Sequence, residues 1–131
     1  MEEQKQQELM FKLAMYEQQI KQLNEQLEAV EKAIADSSSL SLNLENLKNG
    51  KEKEIVASIG KGIFARAKLI SEELLVDIGG KNIVKKSIPE AQKLIGSQVN
   101  KLSEIKFEIE KNLEAMNSEL MKMFLEAQEK Q

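Results

Sequence analysis

The chain has no cysteine, no histidine and no tryptophan, and its 131 residues include only one proline, one tyrosine and four phenylalanines. Without cysteine there is no disulfide, and a reducing compartment is the default expectation. Without histidine or cysteine the usual proton shuttle, thiolate nucleophile and soft metal ligands are missing. Aspartate occurs only at Asp36 and Asp77. Glutamate is plentiful, but it is scattered at helical spacing among Lys and Gln, as on solvated helix faces and unlike paired catalytic carboxylates. No enzyme, no cofactor and no metal site is therefore expected. The glycine-lysine pieces IGKG and IGGKN fail the phosphate-loop pattern G-x-x-x-x-G-K-[ST] and read as turns.

Other absences narrow the partners. No apolar stretch approaches the roughly 20 residues needed to span a bilayer, and the opening MEEQKQQELM is too charged for a secretory signal. No membrane partner is expected. Net charge is only −3, with no long basic run and no aromatic stacking set, so nucleic acid is not expected either.

What is present is helix-forming sequence. Charged residues make up 31% and aromatics 4%, a composition of long helices and not of an ordinary globular α-protein. A single domain over residues 1–131 is expected, in three parts: a helix in 1–49, two β-hairpins in 50–86 and a second helix in 87–131. In the first helix Leu9, Leu13, Tyr16, Ile20, Leu23, Leu27, Val30 and Ile34 alternate at four and three residues, an a/d heptad seam. After Ile34 the pattern weakens through Asp36–Ser39, and Leu40, Leu42, Leu44 and Leu47 follow out of phase, which predicts a stutter. Asn49-Gly50 is a stop signal, because both residues tolerate the left-handed conformation.

Between the helices, EIVASI (54–59) and IFARAKLI (63–70) flank Gly60-Lys61-Gly62, and LLVDI (74–78) and IVKK (83–86) flank Gly79-Gly80-Lys81-Asn82. Each pair reads as a hairpin. Isolated hairpins are marginal in water, so these strands are expected to complete a sheet or barrel with other subunits. Ser87-Ile88-Pro89-Glu90 opens the second helix as a capping box with proline in its first turn. Its seam is Ile95, Val99, Leu102, Ile109, Leu113, Met116, Leu120, Met123 and Ala127, with Lys106 as the one charged seam position. Gly96 costs about 1 kcal/mol of helix propensity, and close packing against the hairpins is the expected reason. Arms of about 42 residues, roughly 60–65 Å each, close naturally as an antiparallel two-helix coiled coil. The expected fold class is thus α+β and mainly α.

Every methionine lies in the first 15 or last 16 positions, which antiparallel closure brings to one end. Met10, Phe11 and Met15 are off the first seam, and Met121, Phe124 and Leu125 are off the second. A wider core where the helices splay, or an extra packed helix, would account for them. So would an exposed, adaptable binding surface, and their place at an arm's free end favours the surface.

Helix, two hairpins and helix with matched arms resembles the prefoldin family, in its α-type form. The local match is IGKGIFARAKL, LLVDIGGKNIVKKS and the PEA that opens the second helix. The resemblance implies an ATP-independent holdase of the cytosol, in which two α-type and four β-type subunits join through their hairpins into a barrel. Its arms would hold non-native proteins and pass them to a group II chaperonin. Carried onto this chain, the client-binding candidates are Leu9, Met10, Phe11, Met15, Met121, Met123, Phe124 and Leu125. The oligomerisation candidates are Ile55, Ile59, Ile63, Phe64, Leu74, Val76, Ile78 and Ile83. The alternative is a filament-forming or scaffold protein of prefoldin-like build.

Overall fold

A computed structural model describes residues 2–129. In chain order it has helix α1 (Glu2–Leu47), strands β1 (Glu54–Gly60), β2 (Ile63–Lys68), β3 (Leu74–Asp77) and β4 (Ile83–Lys86), and helix α2 (Ile88–Glu129). By contacts the chain divides into two units. One takes in the chain up to Ile34 and from Lys101 onward, and the other is Ala35–Asn100.

The first unit is an antiparallel helix pair. Lys106 Nζ on α2 lies 3.8 Å from Glu31 Oε1 on α1, and Gln19, Gln22, Leu23 and Gln26 line one groove with Asn112, Ala115 and Met116. Rising numbers on one helix therefore meet falling numbers on the other. The expected seams are the covered rows. Leu9 through Ile34 on α1 are half-buried at every heptad position, as are Leu102, Met116, Leu120, Met123 and Ala127 on α2. Ile109 and Leu113 are buried. This is knobs-into-holes spacing, and it explains why sequences with few aromatics hold together here.

In the second unit the α1 seam does not stutter. It continues in phase through Ser37, Ser41 and Leu44, all half-buried, while Leu40 and Leu42 point outward. Two seam positions are serines, and beside Ser41 the α2 chain contributes an amide. Gln92 Nε2 donates to the Ser41 carbonyl at 3.3 Å and to Glu45 Oε2 at 2.8 Å. The Gln92 hydrogen bond, then that of Lys48, holds the Glu45 carboxyl below its ordinary range. Ile88, Ala91 and Ile95 form the buried row of α2 in this unit, Ile88 at 2% exposure. Gly96 is not a close-packing site: a Cβ there would meet nothing within 4 Å.

The end of α1 uses its two stop residues differently. Asn49 takes the left-handed conformation, at φ 59°. Gly50 does not, but it is buried, and a Cβ on it would sit 2.9 Å from the Leu47 carbonyl oxygen and 3.4 Å from a Leu69 methyl. At the start of α2 the capping box forms as expected. The Ser87 N–H donates to Glu90 Oε1 and the Glu90 N–H donates to Ser87 Oγ, both at 3.2 Å.

The strands make two separate two-stranded antiparallel sheets, β1-β2 and β3-β4. β2 ends at Lys68 and β3 at Asp77, slightly short of the expected Ile70 and Ile78. Lys61 and Gly62 both have positive φ, 50° and 79°, which makes a type I′ turn that matches strand twist. A register shift between Ser58 and Gly60 precedes it. In the second hairpin the Gly79 N–H donates to Asp77 Oδ1 at 2.8 Å and the Ile78 N–H to the Asn82 carbonyl at 3.0 Å.

Candidate interaction surfaces

Each hairpin has one half-covered face. In the first, Ile55 stands opposite Ala67 and Ala57 opposite Ala65, all half-buried. In the second, Leu74, Val76, Val84 and the Lys86 stem share the half-buried face. The other faces and the turn ends are open and apolar. Among the assembly candidates, Ile59, Ile63, Phe64, Ile78 and Ile83 are exposed, while Ile55, Leu74 and Val76 are half-buried. Three further apolar residues stand out from the hairpins and were not singled out from the sequence: Val56, Ile70 and Leu75, the last two 79% and 71% exposed. Alternation could have found Val56, which shares its face with Ser58, Phe64 and Arg66. Exposed apolar area of this density on four short strands marks a surface made to be covered.

The second surface lies where residues 9–16 run beside 120–127. Leu9 and Met123 sit in the seam, half-buried. Met10 and Phe11 are 69% and 67% exposed, and Met15, Met121, Phe124 and Leu125 are also open. Among the described residues no third helix or widened core covers these six. On the heptad, Met10 and Phe124 both take the e position, and e faces e in an antiparallel pair. Met15, at c, is on the other side. The seam thus supplies a rigid spine, and the exposed groups beside it are flexible thioethers and aromatic rings suited to varied apolar shapes.

Among the described residues no three His, Cys, Asp or Glu side chains are grouped as a metal site would need. No helix among them is long and apolar enough to cross a membrane.

The family model for the prefoldin subunit matches residues 16–131, from within the first third of the first arm through both hairpins and the second arm. The chain belongs to the prefoldin family. It is similar to the prefoldin subunit alpha of Methanosphaera stadtmanae, 26% identical over 92 residues that cover 70% of this chain and 67% of that protein. It also resembles the prefoldin subunit alpha of Methanobrevibacter smithii, 29% identical over 103 residues, 78% of this chain and 70% of that one. With two hairpins between the arms, these likenesses make it an α-type prefoldin subunit. Among solved structures, a filamentous PFD from Methanocaldococcus jannaschii, determined by cryo-electron microscopy, superposes with a TM-score of 0.76. The match is at 20% identity and covers 87% of this chain and 96% of that one. Prefoldin is a chaperone family whose subunits assemble with other prefoldin subunits.

Proposed function

We propose that this chain is a subunit of an ATP-independent, cytoplasmic holdase that binds non-native proteins at the arm end and passes them to a group II chaperonin. The hairpin residues Ile55, Ile59, Ile63, Phe64, Leu74, Val76, Ile78 and Ile83 join it to β-type subunits, two α-type with four β-type. Val56, Ile70 and Leu75 extend that contact. The observation that carries the reading is the set of exposed off-seam residues that the two arms share at one end: Met10, Phe11, Met15, Met121, Phe124 and Leu125. Leu9 and Met123 back them from the seam. One such patch is small and binds weakly. Several arms on one platform raise the effective concentration, and avidity gains about 10²–10⁴ when a client spans them. No nucleotide is required, because release follows competition from the next chaperone.

The test is suppression of aggregation of a denatured client, without nucleotide, by the parent assembly and by a variant carrying Phe11→Ser, Met15→Ser and Phe124→Ser. The variant should assemble with the parent's mass and hold several-fold less client. Equal protection by the two would refute the arm-end assignment.

A second reading, a structural filament, draws support from the likeness to the filamentous PFD of M. jannaschii. Negative-stain electron microscopy separates them: closed particles belong to the holdase, open-ended fibres of this chain alone to the filament.

A further inference from the structure

The two flanks of the helix pair differ in chemistry. On one flank the α1–α2 groove is lined by Gln19, Gln22, Gln26 and Asn112, with no charged side chain. On the other flank α1 carries Glu17, Glu25, Glu28 and Glu31 along a shallow trough, with Lys21 the one base among its lining residues. On α2 a matching trough carries Glu110 and Glu114 and ends at Met121. Lys106 shows that these rows face the same way, since its ammonium lies 3.8 Å from both Glu31 and Glu110. Heptad position agrees: Glu17, Glu31 and Glu110 are all at e, the position of Met10 and Phe124. The acidic rows therefore lead into the apolar patch of Met10, Met121 and Phe124. Phe107, exposed on the same flank, gives a second apolar foothold beside the acids.

We propose that this flank docks a cationic amphipathic helical segment of a non-native protein. Its apolar stripe rests on Met10, Met121 and Phe124, and its bordering Lys and Arg lie along the Glu rows. This rests on the holdase reading and narrows it to a substrate class. Charge complementarity selects the occupant, because an anionic segment would lay like charge against six carboxylates offset by two lysines, Lys21 and Lys106. An apolar stripe beside a two-helix seam is where a third helix packs.

Two fluorescent helical peptides test it, with the same apolar i, i+3, i+4, i+7 spacing but bordered by Lys in one and Glu in the other. Binding to the full chain is read by anisotropy. The Lys peptide should bind about fivefold tighter, with the preference collapsing between about 50 mM and 500 mM salt. Glu110→Gln with Glu114→Gln should reduce the preference, while Gln19→Ala with Gln22→Ala on the other flank should keep it. These positions are surface helix sites, and circular dichroism checks that both double variants stay folded. Equal binding of the two peptides, or a preference untouched by the Glu110 and Glu114 changes, would overturn the inference. If the chain then still suppresses client aggregation, the holdase reading stands without it. If it suppresses none and binds neither peptide, both fall.

Discussion

At Ser87 and Glu90 two side chains satisfy two backbone donors at the start of α2, and Ser87→Ala should cost about 1 kcal/mol of stability in urea denaturation. The hydrogen bond from the Ser87 hydroxyl, then that from its N–H, holds the Glu90 carboxyl below the ordinary carboxylate range. A group with a depressed folded pKa contributes its full stabilisation above its unfolded pKa and loses it as pH falls through the folded one. The cap should therefore be unaffected near neutrality and weaken in acid, as pH falls from the range where free carboxylates protonate through the lower folded pKa. Urea midpoints measured down the pH scale should show a smaller acid loss for Glu90→Gln than for the parent. Lys106 behaves differently. It is the charged member of the α2 seam, and its ion pairs at 3.8 Å lie in partly exposed surroundings where such pairs contribute little. Lys106→Leu should raise stability by about 1 kcal/mol through added apolar burial, and an unchanged or lower urea midpoint would show the ion pairs to be worth more than that. Both features were readable from residue order alone, since a capping box and a heptad break are local patterns. The acidic flank was not. Scattered Glu, Lys and Gln read as one solvated surface until the partner helix divides them between two flanks.

The elements follow from periodicity where periodicity is strong. Alternation at four and three residues placed both seams, and alternation at two placed all four strands to within two residues at their ends. The misreading came in the stretch from Ser37 to Leu42, where apolarity and seam position part company. Leu40 and Leu42 are hydrophobes that face outward, while Ser37 and Ser41 hold the seam. The Gln92 amide, distant in sequence, donates to the Ser41 backbone carbonyl there, a contact that nothing local signals. Gly96 was misread for a related reason, because a glycine in a helix suggests close approach and only coordinates reveal open space around it. Gly96→Ala should then stabilise the chain by about 1 kcal/mol, since the helix gains propensity and no clash results. Gly50→Ala should do the reverse, since its Cβ would press on the Leu47 carbonyl. Thermal denaturation of the two variants side by side checks both signs.

For the whole molecule, the balance of covered and open apolar surface is the main consequence of the sequence. Among the described residues no large side chain is completely buried. The helix pair has a seam but little depth, and two hairpins of two strands each are too small to be stable unaided. Meanwhile the hairpins leave Ile59, Ile63, Phe64, Ile70, Leu75 and Ile83 open. A chain built this way is completed by assembly, as the family's subunits are. The exposed arm-end residues were legible as off-seam positions of the heptad, and the hairpin candidates as strand residues on an amphipathic ribbon. Which of them touch a neighbour was not legible, because that depends on chains other than this one. The decisive measurement is solution mass by light scattering, for this chain alone and mixed with β-type prefoldin subunits. A single hexameric mass that forms only in the mixture is the expected result. An open-ended series of masses from this chain alone would contradict the closed chaperone assembly and favour the filament.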